Sequence, residues 1–123
     1  MSSGNFSLLT QTVAAAGALA ACRFITQAGA YPAAGAAAFG VTRTSAAAAG
    51  DLVPTDVLGT SIAETGAAIT KDTPLMVDAT GRVVPLTVGS KSPVAKSMEA
   101  AAGAGVFIEV LLVPSAGLVT PAS

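Results

Sequence analysis

One cysteine and no histidine stand among the 123 residues, so reactive groups are scarce from the outset. Cys22 could serve as a nucleophile, but a thiolate needs a base or a positive environment, and no imidazole exists to supply the base. Arg23 adjoins it in sequence and points to the opposite face of a strand. Cys22 therefore reads as a small buried hydrophobe. Ser92 and Lys96 have the spacing of a Ser-Lys dyad, which a helix would put on one face; Pro93 and the strand-like surroundings argue against that helix. Asp51 and Asp56 could pair as acid and base or bind calcium. Without further carboxylates or a Gly-centred loop they do not form a calcium site, and Gly50-Asp51 reads as turn chemistry. The glycine-rich stretches at 29–40 and 103–105 contain neither GxGxxG nor a P-loop lysine. A zinc site would lack its commonest nitrogen ligand. The expectation is no catalytic residue, no metal, no cofactor and no small-molecule substrate.

The composition points the same way. The length suits one domain. Apolar residues make up 52% of it, but 28 of them are alanine, so the core is broad and thin. Charged residues are 11%, and the six basic ones, Arg23, Arg43, Lys71, Arg82, Lys91 and Lys96, are scattered. Nucleic-acid binding needs several positive charges on one face, so no nucleic-acid partner is expected. Mean hydropathy is +0.69, and residues 1–22 carry no charge. That span is nevertheless rich in Ser, Thr, Gly and Gln and lacks the Leu/Ile density of a spanning helix. No Lys or Arg precedes it to form the basic start of a signal peptide. The sequence thus predicts no membrane partner and synthesis in the cytoplasm.

The elements that would position any working surface are short strands. The 13 Gly and 7 Pro leave few stretches long enough for a stable helix, and the alanine runs at 14–21 and 46–49 are broken by Gly17 and Gly50. Residues 75–86 read as a β-hairpin, with two apolar runs around a polar loop in which Gly81 takes a positive φ. In the run 106–113, Val106, Ile108, Val110 and Leu112 share one face, and Phe107, Glu109, Leu111 and Val113 share the other. A strand apolar on both faces is central, or covers its second face with another subunit. Further strands are expected at 8–13, 22–27, 39–42, 57–64 and 94–99. The pattern predicts an all-β fold, a small compact sandwich or barrel. A shift of 54 residues aligns Ala46-Ala47-Ala48 with Ala100-Ala101-Ala102, Leu52 with Val106 and Val57 with Leu111, an echo of internal duplication. Residues 1–7 read as a flexible N-terminal arm, 8–113 as the β domain and 114–123 as a C-terminal tail.

Arg23-Phe24-Ile25-Thr26, Gly40-Val41, Ala48-Ala49-Gly50-Asp51, the hairpin Asp78-Ala79-Thr80-Gly81-Arg82-Val83-Val84-Pro85, and the stretches Glu99-Ala100-Ala101-Ala102-Gly103 and Ile108-Glu109-Val110-Leu111-Leu112 together resemble the capsid cement, or head decoration, proteins of tailed bacteriophages. The resemblance covers about residues 8–113. It implies a β-rich structural virion protein, not an enzyme, on the outer surface of a phage head, where it binds the major capsid protein, stabilises contacts between capsid subunits and forms homotrimers. The tail beyond Val113 has no place in the family pattern. An arm ordered on a capsid subunit would use Phe6, Leu8 and Leu9 as apolar anchors, and contact with copies of itself would fall on Phe107, Leu111 and Val113. The alternative is a β-structured module of a phage tail, fibre or spike. A small enzyme or ligand-binding barrel would need convergent polar groups, and the chain offers too few.

Overall fold

The computed structural model describes residues 7–87 and 92–113, and all regular structure among them is β. The eight strands are β1 (Ser7–Ala14), β2 (Phe24–Ile25), β3 (Gly40–Thr42), β4 (Leu52–Glu64), β5 (Pro74–Val77), β6 (Val83–Pro85), β7 (Ala95–Ser97) and β8 (Phe107–Leu112). They follow the runs of branched residues between Gly and Pro. Every pairing is antiparallel, in the order β2-β3-β4-β8-β7-β5-β6, with β1 on the other side of β4. The two ends of this order meet: the Phe24 N–H donates to the Gly81 carbonyl at 2.8 Å and the Gly35 N–H to that of Val77 at 2.8 Å. The sheet is a nearly closed, barrel-like all-β structure.

Two expectations change. Cys22 lies in a turn before β2 rather than in a strand, with a φ of 62°, and is half-buried. The strand expected at 57–64 starts five residues earlier, at Leu52, where it pairs with β1 in spite of Pro54, whose carbonyl accepts the Arg43 N–H at 2.9 Å. The hairpin forms where expected, with Gly81 at φ 79°. A Cβ there would come within 2.5 Å of the Phe24 carbonyl oxygen and 2.8 Å of the Tyr31 ring, so the closing contact needs glycine for space as well as for conformation.

The chain is a duplication, at offsets other than the single shift of 54. The pairs Thr10↔Asp56 and Val13↔Val53 recur as Thr60↔Leu111 and Ala63↔Ile108. Phe24↔Val41 recurs as Pro74↔Lys96, and Thr42↔Thr55 as Ser97↔Val110. Isolated bridges Leu19↔Ala46 and Ile69↔Ala101 match in the same way. The offset is 50 residues up to β2 and 55 from β3 onward; the extra five residues belong to the excursion that carries β6. Strand β4 serves both halves. Residues 52–58 close the first half and 60–64 open the second, with Gly59 at φ 102° between them.

The core lies in two clusters, the larger of which draws on both halves. Val13, Ala15, Leu19, Ile25, Ala46 and Val53 form one cluster, and the counterparts Ala63, Ile69, Leu75, Ala101 and Ile108 lie in a larger one with Phe24, Val41, Val77, Val83 and Val110. In β8 the face of Ile108, Val110 and Leu112 is buried. It is central, flanked by β4 and β7.

Candidate functional site

The groups with chemical potential converge on one hollow. Cys22, Thr42, Arg43, Asp56, Ser61 and Ile62 line a cavity of about 270 Å³. Asp56 is fully buried. Its Oδ2 accepts the Ser61 hydroxyl at 2.7 Å, its Oδ1 accepts Thr10 Oγ1 at 3.1 Å, and Arg43 Nε stands 3.5 Å away. Burial pushes the Cys22 thiol up, and the negative charges of Glu64 and Asp56 push it further. A thiol held protonated is a poor nucleophile. The Asp56 carboxylate ties down three neighbours, so the cluster works as an internal brace.

The other sequence candidates are dispersed. Asp51 Oδ2 accepts the N–H groups of Ala47 and Ala48 at 2.9 and 3.1 Å, which closes the turn after the alanine run. Ser92 is buried, while the exposed Lys96 pairs with Asp72 at 2.8 Å. Among the described residues no group of three or more His, Cys, Asp or Glu could hold a metal ion. A separate ionic cluster fastens the hairpin to the first half: Arg23 Nε lies 3.1 Å from Glu64 Oε1, and Arg82 Nη1 lies 3.8 Å from Glu64 Oε2. Arg82 Nε faces Asp78 Oδ2 at 3.4 Å without the alignment of a hydrogen bond.

The second half repeats the hollow in altered form. Lys71, Asp72, Lys96, Ser97, Met98 and Leu111 line a cavity of about 550 Å³. Asp72, Ser97, Met98 and Leu111 are the counterparts of Cys22, Thr42, Arg43 and Asp56. The hydrogen bond from Lys96, reinforced by its charge and that of Lys71, holds the Asp72 carboxyl below its usual range.

Exposed apolar side chains dominate what remains. Leu8 is 77% accessible, Leu52 70% and Phe107 56%. Leu9, Leu58, Met98, Val106, Leu111 and Val113 are also exposed. Of the residues expected to meet a partner, Phe6 lies outside the described residues. Leu8 and Leu9 stand on β1, Phe107 and Leu111 on the outward face of β8, and Val113 directly after it. The structure thus brings Phe107, Leu111 and Val113 together on one side of one strand and sets Leu8 and Leu9 on another. Ser7, assigned to the arm, is the first residue of β1. Sequence reasoning missed Met98, the remaining apolar residue of the open hollow. Its adjacency to Leu111 depends on the pairing of β7 with β8, for which the local sequence carries no signal.

No curated protein matches the chain. Among solved structures, the head fiber gp8.5 N base of bacteriophage phi29 shares the fold, with a TM-score of 0.68, 19% sequence identity, and coverage of 85% of this chain and 93% of that one. The model of the phage cement protein family matches residues 1–112, nearly the whole chain, and the protein belongs to that family.

Proposed function

We propose that this protein cements a phage head from its outer surface, binding the major capsid protein and strengthening contacts between capsid subunits. The observation that carries the reading is the family match over residues 1–112. The exposed apolar residues of β1 and β8 support it, since large side chains left in water on two strands suit a protein that works by being covered. Cementing is mass action: a protein that binds only the assembled shell stabilises that shell by its binding free energy. The role is structural and virion-associated, without enzymatic turnover.

Phe6, Leu8 and Leu9 anchor the chain to the capsid in this reading. Phe107, Leu111 and Val113 meet other copies of the protein, giving a homotrimer. Leu8 and Leu9 are already held in β1, so what they add to attachment is the apolar area they bury.

The test mixes the protein with undecorated heads of its phage and measures attachment and the temperature at which the heads rupture. Full-length protein attaches and raises that temperature. Deleting residues 2–6, or making Phe6→Ser, leaves the isolated fold intact and weakens attachment. A truncated chain that binds as tightly as the full one would move the contact onto the folded domain. Failure of the full chain to bind heads would refute cementing. One observation favours a second reading, a fibre base: the fold shared with the phi29 head fiber N base. Imaging of virions at subunit resolution separates the two.

A further inference from the structure

The two halves agree in backbone and differ in cover. Asp56 has no accessible surface, whereas its counterpart Leu111 is 43% exposed. What covers Asp56 is the continuation of its own strand: past Gly59, Ser61 and Ile62 come over the hollow, and the Ser61 hydroxyl reaches Asp56 at 2.7 Å. Those residues belong to the opening strand of the second half. In the first half the same place is held by residues 10–14 of β1, with Gln11 equivalent to Ser61 and Thr12 to Ile62.

The chain therefore contains one completed joint and both of its unmatched parts. At one end is a covering strand, β1, whose residues 8–12 are all exposed. At the other is a hollow floored by Met98 and Leu111 that no described residue covers. A backbone joint that closes once within a duplicated chain can close again between chains, and a head-to-tail contact of this kind closes into a ring when its rotation permits. We propose that β1 of one copy lies over the Asp72, Ser97, Met98 and Leu111 hollow of a second copy, Gln11 and Thr12 taking the places that Ser61 and Ile62 take within the chain. Charge allows it: residues 7–14 carry no ionisable side chain, so nothing charged is buried against the Lys71, Asp72 and Lys96 rim. The capsid anchors stay separate, because Leu8 and Leu9 precede the residues used here. This contact rests on the self-association proposed above and specifies its geometry.

Two chains test it in a Cys22→Ala background, one carrying Gln11→Cys and the other Leu111→Cys, mixed under oxidation both free and on heads. The Ser61 hydroxyl and the Asp56 carboxylate lie 2.7 Å apart within the chain, so a contact built the same way brings the side chains of positions 11 and 111 together. The expected result is a disulfide-linked pair of unlike chains, and, for a chain carrying both cysteines, loss of most of the monomer to covalent oligomers. Adding Met98→Asp should abolish both products. A bond between two Leu111→Cys chains alone would mean a face-to-face contact and overturn the proposal. So would absence of any cross-link, free and on heads, or a Leu111→Cys thiol that becomes reactive only when residues 114–123 are removed, which would make that tail the cover. Attachment to heads is scored separately on the same chains. Chains that decorate heads without cross-linking refute the head-to-tail contact and leave cementing intact, while chains that cross-link and never attach do the reverse.

Discussion

Cys22 and Asp72 occupy one position in two copies of the same turn. Their φ angles are 62° and 66°, and each N–H donates to a carbonyl on the third strand of its own half, Cys22 to Thr42 at 2.8 Å and Asp72 to Ser97 at 2.9 Å. The following residues repeat the match, with the Arg23 N–H donating to the Thr42 hydroxyl and the Thr73 N–H to that of Ser97. Both hydroxyls donate in turn to a carbonyl two residues before the strained position, Thr42 to Ala20 and Ser97 to Thr70. This clasp ties the turn before the second strand of each half to the third strand. Asp is among the residues that tolerate left-handed backbone, and Cys is not favoured there.

Cys22 is therefore held where backbone and side chain disagree. Cys22→Gly and Cys22→Asn should be neutral or stabilising by up to about 1 kcal/mol, the order of the left-handed penalty, while Cys22→Val should destabilise by about 1–2 kcal/mol. Urea denaturation of the three variants checks the order. If Val were as stable as Asn, the turn would not govern this position.

Asp56 braces three elements from a buried position. Asp56→Leu, which installs the residue of the second half, should destabilise by about 1–3 kcal/mol, since the buried Ser61 hydroxyl and the Thr10 hydroxyl lose their acceptor. Ser61→Ala should cost less, because the carboxylate keeps Thr10 and Arg43. The measurement is again the denaturation midpoint. A larger loss for Ser61→Ala than for Asp56→Leu would remove the carboxylate from the centre of the brace.

Asp78 makes the hairpin acid-sensitive. Partial burial pushes its carboxyl up, but the Thr80 hydroxyl, the N–H groups of Thr80 and Arg82 and the Arg82 charge outweigh burial and leave the group below its ordinary range. In the unfolded chain the carboxylate takes up its proton near pH 4, before the folded one does. The stabilisation is therefore whole above about pH 4 and is lost as the pH falls through the lower folded value. Asp78→Asn should flatten that part of the acid limb in thermal melts between about pH 5 and 2. An unchanged limb would assign acid sensitivity to other carboxylates.

Much of the fold was legible locally. Gly81 between two apolar runs specified the hairpin, and alternation in residues 106–113 separated the buried Ile108, Val110 and Leu112 from the outward Phe107, Leu111 and Val113, but not Val106, which is exposed on the first face, or Glu109, which is buried on the second. Both are period-two or turn signals that act over a few residues. The absence of histidine and the scatter of basic residues likewise pointed from sequence alone toward a structural role.

The duplication was legible only as a blurred echo. A single shift of 54 paired Leu52 with Val106, one residue out of register, because alanine runs slide past one another at almost no cost in similarity and because the five extra residues around β6 divide the true offset in two. The clasps, the shared strand β4 and the brace at Asp56 were decided by tertiary structure. The clasps join residues about twenty to thirty positions apart and the brace reaches back to Thr10, 46 positions before Asp56, and the same local pattern of alternating residues is satisfied whether Asp56 ends in water or under Ser61. Burial of that carboxylate depends on how β4 passes Gly59 and carries Ser61 and Ile62 over the hollow, a matter of strand pairing across the molecule. Leu111, at the equivalent place, has no such strand over it among the described residues and is 43% exposed.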